Sequence, residues 1–340
     1  VSGAVEYVGN AAHIWTNWQT LPPRFRSEAT RLIYIGPDGS RWDLAGPDAG
    51  KQGVQFAEEL QGHYHLPFEH LLTETAYQRG ATYERSNINK RIINCGAMIG
   101  SQTRKLNATQ YRMVESRWWQ AWPVGVPGWL GSWTPTCGWR WIAVMQARPC
   151  ETSFKKDPVY AGNNTATHDM QILACSPVWA KPALYQTFTA HKDNFTKKKP
   201  WDEQVISIAN RSDMPAAPKF LYTAGKAWVS DGMTARLVEL PLVTVKEAPV
   251  LVDTDEDART VTGAADPVDN AFYQLIRSSR ILDFFLHDLG DLGEPVWRRA
   301  HGVRFLSMIP PRTVANIKVR HSRPGGQVTV FMPQHYSRPY

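Results

Sequence analysis

The stretch "WWQAWPVGVPGWLGSWTPTCGWRW", residues 118–141, holds seven of the chain's fourteen tryptophans. Each buried aromatic side chain removes about 150–250 Å² from water at about 25 cal/mol per Å², so seven exposed rings would make a free monomer aggregate. The stretch therefore serves packing, binding or assembly, and its spacing bears on which. From Asn107 as N-cap, "ATQYRMVESRWWQAW" sets Tyr111, Val114, Trp118 and Trp122 on one helical stripe that Pro123 ends. Downstream, "WRWIAVMQA" alternates, placing Trp139, Trp141, Ala143 and Met145 on one face of a strand. Stripe and strand face are expected to pack together, which makes Tyr111, Trp118, Trp122, Trp139 and Trp141 core. Glu115, beside the stripe, needs an Arg partner. Trp129 and Trp133 fall in a Gly/Pro loop without periodicity and are expected to be shielded by a neighbouring copy or another protein.

A sugar platform is the competing reading, since aromatic faces stack on pyranose rings, but regular helix and strand spacing favours packing. Nucleic-acid stacking ranks lower because Arg and Lys are not interleaved through the run.

The rest of the chain reads as short strands between turns. "RLIYIGPDGSRWDL" (31–44) alternates, turns at Pro37-Asp38-Gly39 and leaves through Trp42 and Leu44, a hairpin. "YERSNINKRIINCGAMIG" (83–100) puts Ile93, Cys95, Ala97 and Ile99 on a core face. The polar run before it, with Arg85, Asn87, Asn89 and Lys90, meets solvent or a partner. The lysine-rich segment 191–202 is expected to be a linker between domains at 1–190 and 203–340. The second half offers "QVISIAN", "RLVELPLVTV" and "PVLVDTD", a helix over 269–287, and Ile317 and Val319 set against Val328 and Val330 across Pro324-Gly325-Gly326. This is a mainly β chain of two sandwiches, with one helix in the first and an inserted helix in the second.

A net charge of +7 and a pI near 9.2 suggest a polyanion, but the basic residues are dispersed, and Lys197, Lys198 and Lys199 read as solvated linker. No apolar run is long enough to span a membrane and the first twenty residues lack a signal-peptide pattern, so neither insertion nor export is expected. An opening Val fits a GTG initiation codon.

Cys95, Cys137, Cys150 and Cys175 form no CxxC pair and read as free thiols. His63, His65 and His70 lack a HExxH helix or a clear fourth ligand. Asp253, Asp255 and Asp257 begin like a calcium loop, but Ala258 and Ala264 stand where Gly and a bidentate Glu are needed. No P-loop, dinucleotide fingerprint or GxSxG elbow is present. Neither cofactor nor metal is expected, and no enzyme; Cys137 with His168 is the kind of pair that only folding could bring together.

The succession "RLIYIGPDGSRWDLAGPDAGKQGV", "GATYERSNINKRIINCGAMIG", "VESRWWQAW", "CGWRWIAV", "IANRSDMPAAPKFLY", "VLVDTDEDARTVTG" and "GEPVWRRAHGVRFLSMIPPRTVANIKVRHS" resembles the distal tail protein family of long-tailed actinobacterial phages, over nearly the whole chain. The resemblance implies an N-terminal belt sandwich that closes a six-fold ring and a C-terminal galectin-like sandwich. Ser212 departs from a glycine in the opening of the second domain. It implies a structural virion protein at the distal end of the tail, made in the host cytoplasm. Its partners would be itself as a homohexamer, the tail tube protein and the tail-tip hub protein, with the tape measure protein a further candidate and no specific nucleic acid. A carbohydrate-binding module for host-surface glycan is the alternative.

Overall fold

The computed structural model describes residues 29–57, 60–100, 106–150, 157–160, 162–255, 261–263 and 304–340. The chain divides into two compact units, Val1–Trp179 with Arg338–Tyr340, and Ala180–Ser337. The helix expected over 269–287 lies outside the described residues.

In the first unit the strands are β1 (Arg31–Ile35), β2 (Arg41–Ala45), β3 (Val54–Phe56), β4 (Phe68–Thr73), β5 (Thr82–Ile88) and β6 (Arg91–Ile99). Helix α1 (Ala108–Gln120) follows, then β7 (Gly128–Thr134), β8 (Gly138–Gln146) and β9 (Ala166–Ala174). One sheet runs β2-β1-β7-β8; at the end of β8 it passes to β9, which continues as β9-β6-β3. The β1–β2 hairpin turns on Gly39, at φ +80°, with Asp38 Oδ1 accepting from Ser40 N at 3.0 Å. Asn107 caps α1 by a reciprocal pair: its Oδ1 accepts from Gln110 N at 2.8 Å, and its own N–H donates to Gln110 Oε1 at 3.1 Å.

The core of this unit is a row of directly paired residues across four strands, Trp42, Tyr34, Leu130 and Ile142, under α1. Trp122 stacks on Tyr34 at 3.9 Å, and Trp118 meets Trp42 edge-on at 5.2 Å and Trp122 at 5.5 Å. Tyr34 donates its hydroxyl to Ala121 O at 2.7 Å, and burial pushes its pKa up. Tyr111, Trp118 and Trp122 are all buried, as their stripe requires.

Two expectations are corrected here. Trp129 and Trp133 lie in β7 and not in a loop, and Trp139 and Trp141 are half-buried on the face away from α1. The inward residues of β8 are Arg140, Ile142 and Val144. Arg140 is tolerated there because its Nη1 donates to Arg338 O at 2.8 Å.

The second unit comprises β10 (Trp179–Thr189), a 3-10 turn (Lys192–Asn194), β11 (Asp202–Asn210), β12 (Lys219–Tyr222), β13 (Ala227–Ser230) and β14 (Leu237–Glu239), then β15 (Val250–Asp253), β16 (Val261–Gly263), β17 (Thr313–His321) and β18 (Gln327–Tyr336). Sheets β16-β15-β12-β18-β10 and β11-β17-β13-β14 form a sandwich. Phe220, Tyr222, Val252, Val328 and Val330 from one sheet meet Ile206, Val229, Ile317 and Val319 from the other. The chain thus crosses between sheets at Pro324–Gly326, so β17 and β18 face each other across the core and are not ladder partners. Inside, Lys219 Nζ pairs with Asp253 Oδ2 at 3.1 Å, both side chains at most 6% exposed.

Residues 191–202 belong to this second unit. Ala190 N donates to Gly326 O at 2.9 Å, and the buried Asp202 accepts from His191 N and Asn194 Nδ2, each at 2.8 Å. Ser212 fills the glycine's place without left-handed backbone, donating N–H and Oγ–H to Asn210 Oδ1 at 3.1 and 2.6 Å.

Candidate functional site

Among the described residues strands β4 and β5 pair only with each other, and every residue in both is exposed. Their register puts Phe68 opposite Ile88, His70 opposite Ser86, Glu69 opposite Asn87 and Leu71 opposite Arg85. Phe68, Leu71, Leu72, Tyr83 and Ile88 are 42–58% exposed and Tyr77, in the connecting turn, is fully so. Local polar contacts hold the ribbon: Thr73 donates to Glu84, and Ser86 Oγ lies 2.8 Å from both His70 Nδ1 and Tyr83 Oη. A two-stranded ribbon in water is marginal by itself, and one with several apolar side chains open to solvent needs a cover.

The root of the ribbon is tied by Arg91, fully buried, which donates to Pro177 O and to the carbonyls of Gly62, His63 and His65 at 2.8–3.0 Å. Burial brings its pKa down to about 10. Sequence reading missed this residue, because an Arg after "NINK" looks like more surface. Its signal was position: Arg91 begins the alternation that buries Ile93, Cys95, Ala97 and Ile99.

Of the expected interface residues, Arg85 and Asn87 lie on β5, and Asn89 donates its N–H to Pro67 O at 3.0 Å just before Lys90 and the root. Trp129 and Trp133 lie elsewhere, on the half-buried face of β7 and β8. Arg31 sits 4.8 Å over the Trp133 ring, Trp139 stacks on Trp141 at 5.3 Å, and Trp141 covers Gly131, where a Cβ would come within 2.6 Å of the indole. That glycine is what lets the indole lie flat on the sheet.

The chemistry-bearing residues are dispersed. His63 Nδ1 contacts Leu60 O at 2.9 Å, His65 is exposed, and His70 belongs to the ribbon. Among the described residues no three His, Cys, Asp or Glu side chains are placed to hold a metal ion. Asp253 is engaged by Lys219, and Asp257 lies outside the described residues. Cys137 sits beside Thr136 in the β7–β8 turn, whereas His168 is buried on β9 next to Trp119 and 3.9 Å from Glu115 Oε1. Burial lowers the His168 pKa, with Glu115 acting against it. Glu115 has its Arg partner, Arg112, at 3.4 Å. A cavity of about 230 Å³ between β2 and α1 has Trp42, Leu106 and Val114 with Arg41 and Arg117 in its lining, and the lining contains no carboxylate, imidazole or thiol for acid–base or nucleophilic work. Among the described residues no helix is long and apolar enough to cross a membrane.

No protein-family model matches the chain. It is 26% identical over 334 residues to minor tail protein Gp27 of Mycobacterium phage D29, covering 89% of this chain and 96% of that protein. To Gp27 of Mycobacterium phage L5 it is 24% identical over 328 residues with the same coverage. Its fold matches the Dit protein (gp 19.1) of SPP1 at a TM-score of 0.51 and 11% identity, covering 90% of this chain and 99% of that one; that protein is described as a paradigm of the hub adsorption apparatus in phages infecting Gram-positive hosts. The resemblance read from the sequence is borne out: the chain is similar in sequence to mycobacteriophage minor tail proteins and in fold to the Dit protein of SPP1.

Proposed function

We propose that the chain is a non-catalytic adaptor whose copies close into a six-fold ring at the distal end of the tail, joining the tail tube protein to the tail-tip hub protein. The first unit supplies the ring, as the belt; the second is the galectin-like unit. The tape measure protein is a further neighbour in this reading, and the chain is made in the host cytoplasm before assembly.

The observation that carries the reading is the β4–β5 ribbon, whose exposed Phe68, Leu72, Tyr83 and Ile88 need a cover. A ribbon from one copy lying on a different surface of the next is a head-to-tail contact, and such contacts close into rings where the rotation permits. Arg85, Asn87, Asn89 and Lys90 then form the polar rim of that contact. Dispersed titratable groups and the catalytically bare cavity support a structural role.

The test combines imaging with a ribbon variant. Electron microscopy of purified protein and of virions is expected to show six-fold density for this chain. Replacing Phe68, Tyr83 and Ile88 together by Ser should leave circular dichroism unchanged and abolish rings and incorporation into virions. Three-fold density, or intact rings from the triple variant, defeats the proposal.

A further inference from the structure

The outer face of the β11-β17-β13-β14 sheet is built differently from the rest of the surface. Register places Glu203, Arg320, Trp228 and Glu239 in one row straight across the four strands. Trp201, which precedes β11, adds a second indole, 6.1 Å from Trp228 and tilted at 54°. Arg320 lies 5.4 Å over the Trp201 ring and Lys226 lies 5.5 Å over Trp228. Glu203 accepts from Arg320 Nε at 2.7 Å and Lys199 Nζ at 3.1 Å, with Lys318 Nζ at 3.2 Å; Glu239 takes Trp228 Nε1 at 3.1 Å and Lys226 at 2.5 Å. These charged side chains are a quarter to three-fifths exposed.

The lysine run adjoins this row. Thr196 and Lys199 exchange backbone hydrogen bonds at 3.0 and 3.1 Å, closing a tight turn that presents Lys197 and Lys198 to solvent at its tip. The run is therefore an ordered rim of the sheet face. Lys197, Lys198, Lys199, Lys226, Lys318 and Arg320 outnumber Glu203, Glu239 and the neighbouring exposed Asp193, so among the described residues the row and its turn carry a surplus of positive charge.

The geometry points to a binding site for an acidic polysaccharide on this face, formed by Trp201, Trp228 and the row between them, with the Lys197–Lys198 turn as its cationic rim. The indoles and the alkyl stems lying over them offer apolar contact to a sugar ring's C–H faces. Glu203 and Glu239 accept from sugar hydroxyls, and the surplus cations take the polymer's carboxylates. A nucleic acid fits less well, because tilted, cation-capped rings make no continuous platform for successive bases and the two carboxylates repel a phosphate chain. The site belongs to the second unit alone and does not depend on ring formation.

Affinity electrophoresis of the intact protein tests it, with polygalacturonate, neutral dextran and single-stranded oligo(dT) as probes at physiological salt. The expected result is retardation by polygalacturonate but not dextran, weakened at least tenfold by Trp228→Ala and by Lys197→Glu with Lys198→Glu. The lysine variant sits on an exposed turn, so its fold should survive if the Trp228 variant's does not. The proposal is overturned by absence of retardation, by tighter binding to oligo(dT), or by site variants that bind like the parent. Equal weakening by the first-unit pair Lys51→Glu with Arg79→Glu also overturns it, since net charge alone would then explain binding.

Discussion

Trp118→Ala tests the aromatic core directly, because Trp139→Ala makes the same chemical change in the same stretch on the other face of the sheet. Trp118 has no exposed surface and meets Tyr34, Trp42 and Trp122 edge-on at 5.2–6.0 Å. Burial of about 150–250 Å² at about 25 cal/mol per Å² gives roughly 4–6 kcal/mol as an upper figure, and partial collapse of the site brings Trp→Ala losses to about 3–5 kcal/mol. Against a stability of about 5–15 kcal/mol this leaves the first unit marginal, with a midpoint lowered by roughly 6–20 °C. Trp139 is half-buried and stacked on Trp141, so its loss should amount to about 1–2 kcal/mol. Near-ultraviolet circular dichroism during thermal and urea unfolding reads both variants. Equal losses, or a Trp118 loss below about 1.5 kcal/mol, would refute the assignment of the core to the α1 side of the sheet.

Three further outcomes follow from the second unit. Burial alone would raise the Glu203 pKa, but Lys199, Lys318 and Arg320 outweigh it and bring it to about 2 from an ordinary 4.5. A folded value below the unfolded one means stability that is full above pH 4.5 and lost as pH falls toward 2, so Glu203→Gln should be less stable at neutral pH and show a flatter acid limb in that window. Lys219→Met strands the buried Asp253 and should destabilise by about 3–5 kcal/mol in urea unfolding, with Asp253→Leu added to it restoring most of the loss. Brief trypsin treatment should nick at Lys197 or Lys198, yet the pieces should stay together on native gel filtration, since β10 precedes the cut and pairs with β18 after it; separation into two folded species would instead support a linker at 191–202.

What the sequence disclosed and withheld follows from how much each pattern constrains. The Asn107 cap, the stripe through Tyr111 and Trp118, and the Pro37-Asp38-Gly39 turn are local signals, and the structure realises each one. Alternation, by contrast, divides a strand's residues between two faces without saying which is inward. In β8 the choice lay between Trp139 and Trp141 on one side and Arg140, Ile142 and Val144 on the other. The arginine made the true core side look polar, because its partner, the carbonyl of Arg338, is 198 residues away in sequence. In β7 the glycines at 128 and 131 read as loop. Gly131 is strand backbone kept bare for the Trp141 ring, and Gly128 does the same for Tyr34 on the opposite face. Arg91 escaped notice for the related reason that its acceptors are carbonyls, which no side-chain pattern reveals. The exposed ribbon was half legible: its polar residues Arg85, Asn87 and Asn89 marked a surface, whereas no local pattern discloses that the strands carrying Phe68, Leu72 and Ile88 pair, among the described residues, with each other alone. That mismatch is informative in itself, since a strand pair whose composition calls for burial is left in solvent among the described residues, and a cover for it is what the proposed ring would supply.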